Sequence, residues 1–226
     1  MHIEEATQPQ GSAVMHRPSY HPIVHGTARV VSVVFHPLFI PVYISAFVLY
    51  FTPVFPGFAP ADKVLLLLRF AVMYTLFPLV TVLLAKGLGF IETIYLRTQK
   101  DRIIPYIACG LYYFWMWYVL KNQPEFPREM VSLALAIFLA SSGGLVLNSY
   151  IKVSMHAISL GVMMTFVYLL ALAIDANLGF YISVATLITG LVSTARLLNS
   201  DHHPVEVYAG LAIGILGQVI AQWITF

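Results

Sequence analysis

Polar and apolar positions along the chain divide into seven long apolar runs, at 29–52, 63–85, 103–120, 129–151, 157–174, 179–195 and 205–225. Crossing the hydrocarbon core of a bilayer as a helix takes about 20 apolar residues. The runs therefore predict an all-α, polytopic membrane helix bundle of six to seven transmembrane helices. Turn-forming residues separate them: "TPVFPGFAPAD" after the first, "KNQPEFPRE" after the third, "DANLG" after the fifth and "NSDHHP" after the sixth. The first run differs from the others. Pro37 and Pro41 in "HPLFIPVY" interrupt the helical ladder and predict a kink, or a re-entrant segment that enters and leaves by one face. Residues 1–28 are polar and contain Pro9, Gly11, Pro18 and Pro22. They read as a soluble tail ahead of a transmembrane domain at 29–226, without the basic segment and short apolar core of a cleaved signal peptide. The tail histidines His2, His16, His21 and His25 are unevenly spaced and read as solvated.

Composition agrees with the pattern. Of 226 residues, 59% are hydrophobic and 10% charged, and mean hydropathy is +0.82, whereas soluble domains are roughly one-quarter charged. The formal charge of +2 is too small and too dispersed for a nucleic-acid partner. The single cysteine, Cys109 between Ala108 and Gly110, has no internal disulfide partner and reads as a small packing residue. Ser141, Ser142, Gly143 and Gly144 predict close helix approach, with Asn148 bonding across to a neighbour. The aromatic run "YYFWMWY" at 112–118 reads as a lipid-facing or interfacial surface.

Threading the runs back and forth places the tail, loop 86–102, junction 152–156 and loop 196–204 on one face. Three polar clusters meet there. The first, "RTQKDRIIP", brings Arg97, Lys100 and Arg102 to the start of the third run, with Pro105 near the first helical turn. Anchoring at the interface is the plainer use of such cations. The second, "KVSMH", places Lys152, Ser154 and His156 at a helix start, where free backbone N–H groups favour an anion; Ser154 alone is equally a helix cap. The third lies within "ARLLNSDHHPVEVYAG", where Arg196 precedes His202 and Glu206. With Pro204 at the first helical position, Glu206 falls at the third and reaches back toward the loop. A carboxylate on one imidazole nitrogen fixes the tautomer and leaves the other nitrogen to attack.

In this order, a basic cluster, Ser-x-His and Arg-x5-His-x3-acid, the chain resembles the type 2 phosphatidic acid phosphatase superfamily over residues 97–210. The resemblance implies that His202 attacks phosphorus to form a phosphohistidine, that Glu206 orients it, and that His156 protonates the leaving oxygen. Arg102, Ser154 and Arg196 would hold the phosphoryl oxygens, and no metal or other cofactor is implied. Where the family has a Lys seven residues before its first-motif Arg, this chain has Tyr95, so the phosphate-binding role passes to Lys100, Arg97 or Lys152. The second motif, usually Pro-Ser-Gly-His, reads Val153-Ser154-Met155-His156 here, and the third ends in Glu instead of Asp. These features are similar to a bacterial branch with a Lys-x-Ser-x-His second motif. The implied substrate is a lipid phosphate or diphosphate among membrane lipids.

Two other functions fit the same residues. A non-catalytic transporter or binder of anionic lipid headgroups would use the cations without cleavage. A metal site would draw on Asp201, His202, His203, Glu206 and His156, although adjacent histidines on a loop rarely point at one ion. Sidedness is contested. Eight Lys and Arg on the site face (Arg17, Arg29, Lys86, Arg97, Lys100, Arg102, Lys152, Arg196) oppose three (Lys63, Lys121, Arg128), which the positive-inside rule reads as cytoplasmic. Setting aside the five from Arg97 onward as phosphate ligands leaves three against three. Similarity to the family favours a multi-pass protein of the bacterial inner membrane whose site faces outward, which needs either the tail outside or a first run that does not cross; Pro37 and Pro41 favour the latter.

Overall fold

In the computed structural model, residues 21–226 are described apart from Tyr95, Arg97, Ser200 and Asp201. All regular structure among them is helical: α1 (Pro22–Val34), α2 (Ile40–Phe51), α3 (Pro60–Gly87), α4 (Gln99–Lys121), α5 (Arg128–Asn148), α6 (Met155–Ala173), α7 (Gly179–Leu198) and α8 (Pro204–Thr225). The six helices from α3 to α8 are each long and apolar enough to cross a membrane, so the chain has the architecture of a multi-pass membrane protein.

The first apolar run is not one helix. α1 ends at Val34 and α2 begins at Ile40, and at 13 and 12 residues each is only about 20 Å long. Pro37 and Pro41, which lack the N–H needed by the ladder, set the break. The two pieces nevertheless lie end to end along α7. Phe47 and Phe51 of α2 meet the ring of Tyr181 near the start of α7, at 4.8 and 6.0 Å between centroids. Val24, Ala28 and Val31 of α1 face Thr186, Gly190 and Leu198 further along it. The pair thus runs antiparallel to α7 as two short helices in line, neither of which is by itself long enough to cross a membrane. α1 also starts inside the stretch assigned to the tail: His21 caps it, its Nδ1 accepting from Ile23 N–H at 3.4 Å, and Pro22 occupies the first turn. Gly26, Thr27 and Arg29 hide this helix from a reading of apolar length alone, because it is amphipathic. Residues 1–20, with His2 and His16, lie outside the described residues.

Pro105 also sits differently from the expectation. α4 starts at Gln99, capped by the Thr98 hydroxyl, which accepts from Asp101 N–H at 3.1 Å, so Pro105 lies inside the helix and is buried. The aromatic run divides by helical period. Tyr113 and Met116 are buried, whereas Trp115 and Tyr118 are exposed.

The centre of the bundle is α5, α6 and α8. Side-chain-free surfaces let α6 and α8 approach closely: a Cβ on Gly214 would lie 2.2 Å from Ile158 O, and one on Gly161 would lie 2.5 Å from Leu211 O. One turn nearer the site, a Cβ on Gly210 would meet Ser154 O at 2.8 Å. Such small-residue seams replace hydrophobic driving force where the solvent is itself apolar. Asn148 bonds across to α4, its Nδ2 donating to Gln99 O at 2.9 Å while Gln99 Nε2 donates to Asn148 O at 2.7 Å. These contacts fix the starts of α4, α6 and α8 at one membrane level.

Candidate functional site

His203 is the N-cap of α8, Pro204 its first residue and Glu206 its third. The Glu206 carboxylate closes a capping box: Oε2 accepts from His203 N–H at 3.2 Å. The same oxygen lies 2.7 Å from His202 Nδ1. A second acceptor, Lys152 O, lies 3.1 Å from that nitrogen. Both neighbours only accept, so Nδ1 carries the hydrogen and Nε2 keeps its lone pair. Burial pushes the His202 pKa down from 6.5 to about 4; the Glu206 hydrogen bond acts the other way, and Arg196 and Arg102 add to the lowering. The imidazole is therefore neutral near pH 7, the state a nucleophile requires. The backbone ties this end of α8 to α6 through Ser154 N–H, which donates to Glu206 O at 3.1 Å.

His202 lines a cavity of about 940 Å³ together with Arg102, Lys152, His156 and Arg196. Three sequence clusters, spread along the chain from Arg102 to His202, thus share one wall. Arg102 is buried and held in place: its Nε donates to Leu96 O at 2.9 Å and its Nη1 to Val153 O at 2.7 Å. His156 Nε2 lies 2.9 Å from Ser32 O of α1. A carbonyl accepts only, so neutral His156 carries its hydrogen on Nε2 and keeps Nδ1 as the basic nitrogen.

Other expected ligands are placed elsewhere. Ser154 is fully buried and lies outside the cavity lining; its hydroxyl caps α6, accepting from Ala157 N–H at 3.4 Å. Lys100 is exposed and also outside the lining, since it sits two residues before Arg102 and so on another side of α4. Arg97 and Asp201 lie outside the described residues. His203 is exposed and spent on the capping box, away from the cavity. Among the described residues, no three His, Cys, Asp or Glu side chains converge as metal ligands do.

The structure also adds residues that the three clusters omit. His25, Arg29, Ser32 and His36 line the same cavity from α1 and the break after it. Their spacing of four, three and four is one helical face, a signal visible in the sequence but masked by assigning 1–28 to a tail. Below the polar mouth, the cavity continues between apolar side chains, among them Ile44, Leu79, Val82, Ile137 and Val162, down to Tyr113. Tyr113 follows Arg102 by eleven residues on α4, which places it roughly 16 Å deeper. Cys109 and Ser141, read as packing residues, lie along this arm. The arrangement offers cations and a neutral imidazole at one level and an oily channel beneath. No protein-family model, curated protein or solved structure matches the chain.

Proposed function

We propose that the protein is an integral membrane phosphatase that hydrolyses a lipid phosphate or diphosphate through a phosphohistidine on His202. The observation that carries this reading is the His202 Nδ1–Glu206 contact of 2.7 Å, which prepares Nε2 as a nucleophile in a cavity also lined by Arg102, Lys152 and Arg196. Phosphoryl transfer asks a protein chiefly for positioning and for cations around the spreading oxygens. Arg102, pinned to two carbonyls, is already set for that task. In the first step Nε2 attacks phosphorus, the P–O bond to the leaving group breaks, and the departing oxygen takes the proton that His156 Nδ1 has picked up on binding of the anionic substrate. In the second, water attacks the phosphohistidine, gives a proton to His156 Nδ1 and releases inorganic phosphate. The apolar arm receives the lipid tail. Similarity to the type 2 phosphatidic acid phosphatases adds to this reading. It also favours a bacterial inner membrane with the site facing outward, in which case the start of α1 lies on the outer side as well.

Purified protein, reconstituted with a panel of lipid phosphates, should release inorganic phosphate and continue to do so in excess chelator. A phosphohistidine should be trapped after an acid-free quench, and His202→Ala should remove it. Substrate binding without release or trapping would instead identify a non-catalytic headgroup binder, and loss of activity restored by one divalent ion would favour a metal enzyme.

A further inference from the structure

The leaving group must lie beside the residue that manages its proton, so the neighbours of His156 describe what departs. Those neighbours come from α1 and the break, outside all three sequence clusters. Ser32 O holds His156 Nε2 at 2.9 Å, and the His36 ring meets the His156 ring edge to face at 5.5 Å between centroids. His36 Nδ1 accepts from Leu38 N–H at 3.4 Å, which puts the imidazole hydrogen on Nε2 and makes neutral His36 a hydrogen-bond donor. Arg29 of α1 lines the same cavity, and every charged side chain among the described lining residues is basic. An alcohol leaving group would use none of this. A phosphate leaving group would use a donor and a cation, and its low basicity would spare His156 from acting as a strong acid. The hydrogen that His156 carries is indeed already committed to Ser32 O.

We propose that Arg29 and His36 form a second anion subsite on the leaving-group side, which takes the lipid-proximal phosphate of a diphosphate substrate. This rests on the phosphatase reading for its order of events. His202 Nε2 bonds to the terminal phosphorus, the bridging P–O bond breaks, and the lipid monophosphate departs with its charge held by Arg29 and His36. Water then cleaves the phosphohistidine to inorganic phosphate.

The test is calorimetric binding of inorganic pyrophosphate and inorganic phosphate to the full chain in nanodiscs, alongside turnover of a prenyl diphosphate and the matching monophosphate. Wild type should bind pyrophosphate at least tenfold more tightly than phosphate. Arg29→Gln and His36→Phe should each weaken pyrophosphate about tenfold more than phosphate, whereas His36→Gln, which retains an N–H at a similar reach, should recover most of the difference. Equal binding of the two anions by wild type, or equal weakening of both by the variants, would overturn the subsite. Pyrophosphate preference without turnover of any lipid would uphold the subsite and sink the phosphatase reading; turnover without that preference would do the reverse.

Discussion

At the scale of single residues, the site depends on which nitrogen of His202 holds the hydrogen. Glu206 Oε2 and Lys152 O decide it from one side. Glu206→Gln offers an amide donor where only an acceptor serves and removes the negative charge facing the imidazole. It should lower kcat by roughly 10²–10⁴-fold, measured as phosphate release from a short-chain lipid phosphate. His203→Ala loses a helix cap, costing about 1 kcal/mol, and should retain most turnover because His203 faces away from the cavity. The His202 pKa of about 4 in the folded protein, against 6.5 ordinarily, also links stability to pH. Between those values the unfolded chain binds a proton that the folded site refuses. The stabilisation is therefore complete above about pH 6.5 and is lost as pH falls toward 4. Thermal unfolding followed from pH 7 to 4 should show this decline, and His202→Phe should flatten it. The His202–Glu206 pairing was legible in the sequence, because Pro204 fixes the helix start and hence the reach of the third residue. The fate of Ser154 was not: a hydroxyl at a helix start caps or binds according to burial, which spacing does not report.

Elements carry the site through how closely they pack. Glu206 is at the start of α8 and His156 at the start of α6, and the Gly161–Gly214 seam holds those helices together. Gly214→Ala would drive a methyl to 2.2 Å from Ile158 O and 2.9 Å from Gly161 Cα; both are backbone atoms that cannot rotate away. Separation of the helices should cost about 1–3 kcal/mol and should reduce activity by shifting His202 relative to His156. Gly190→Ala on α7, with nothing within 4 Å of its added methyl, is the matched control; its melting temperature should stay near wild type. The long helices were readable from apolar length alone, since lipid imposes that length. α1 escaped the same rule because it is short and two-faced, with Val24, Ala28 and Val31 toward α7 and His25, Arg29 and Ser32 toward the cavity. Its role follows from packing that apolar length does not reveal.

For the whole molecule, the antiparallel course of α1 and α2 along α7 places Pro22 and the cavity mouth on one face and the loop at 122–127 on the other. Cysteines introduced at Ile23, Leu88 and Glu125 in a Cys109→Ala background test this with an impermeant thiol reagent on intact cells. Ile23 and Leu88 lie at helix ends and are 68% and 69% exposed. They should label together and Glu125 should not, as an outward site requires; labelling of Glu125 alone would place the site in the cytoplasm. Splitting of Ile23 from Leu88 would contradict the antiparallel course itself. The cavity, finally, has its cations at the level of the helix ends and its floor at Tyr113, well within the bilayer. For the phosphatase proposed above, a lipid drawn into the cavity never passes through bulk water, so the relevant concentration is the mole fraction of substrate in the two-dimensional film around the protein. Diluting that film with inert lipid or detergent at constant total substrate should slow turnover, as for any catalyst fed from a surface phase.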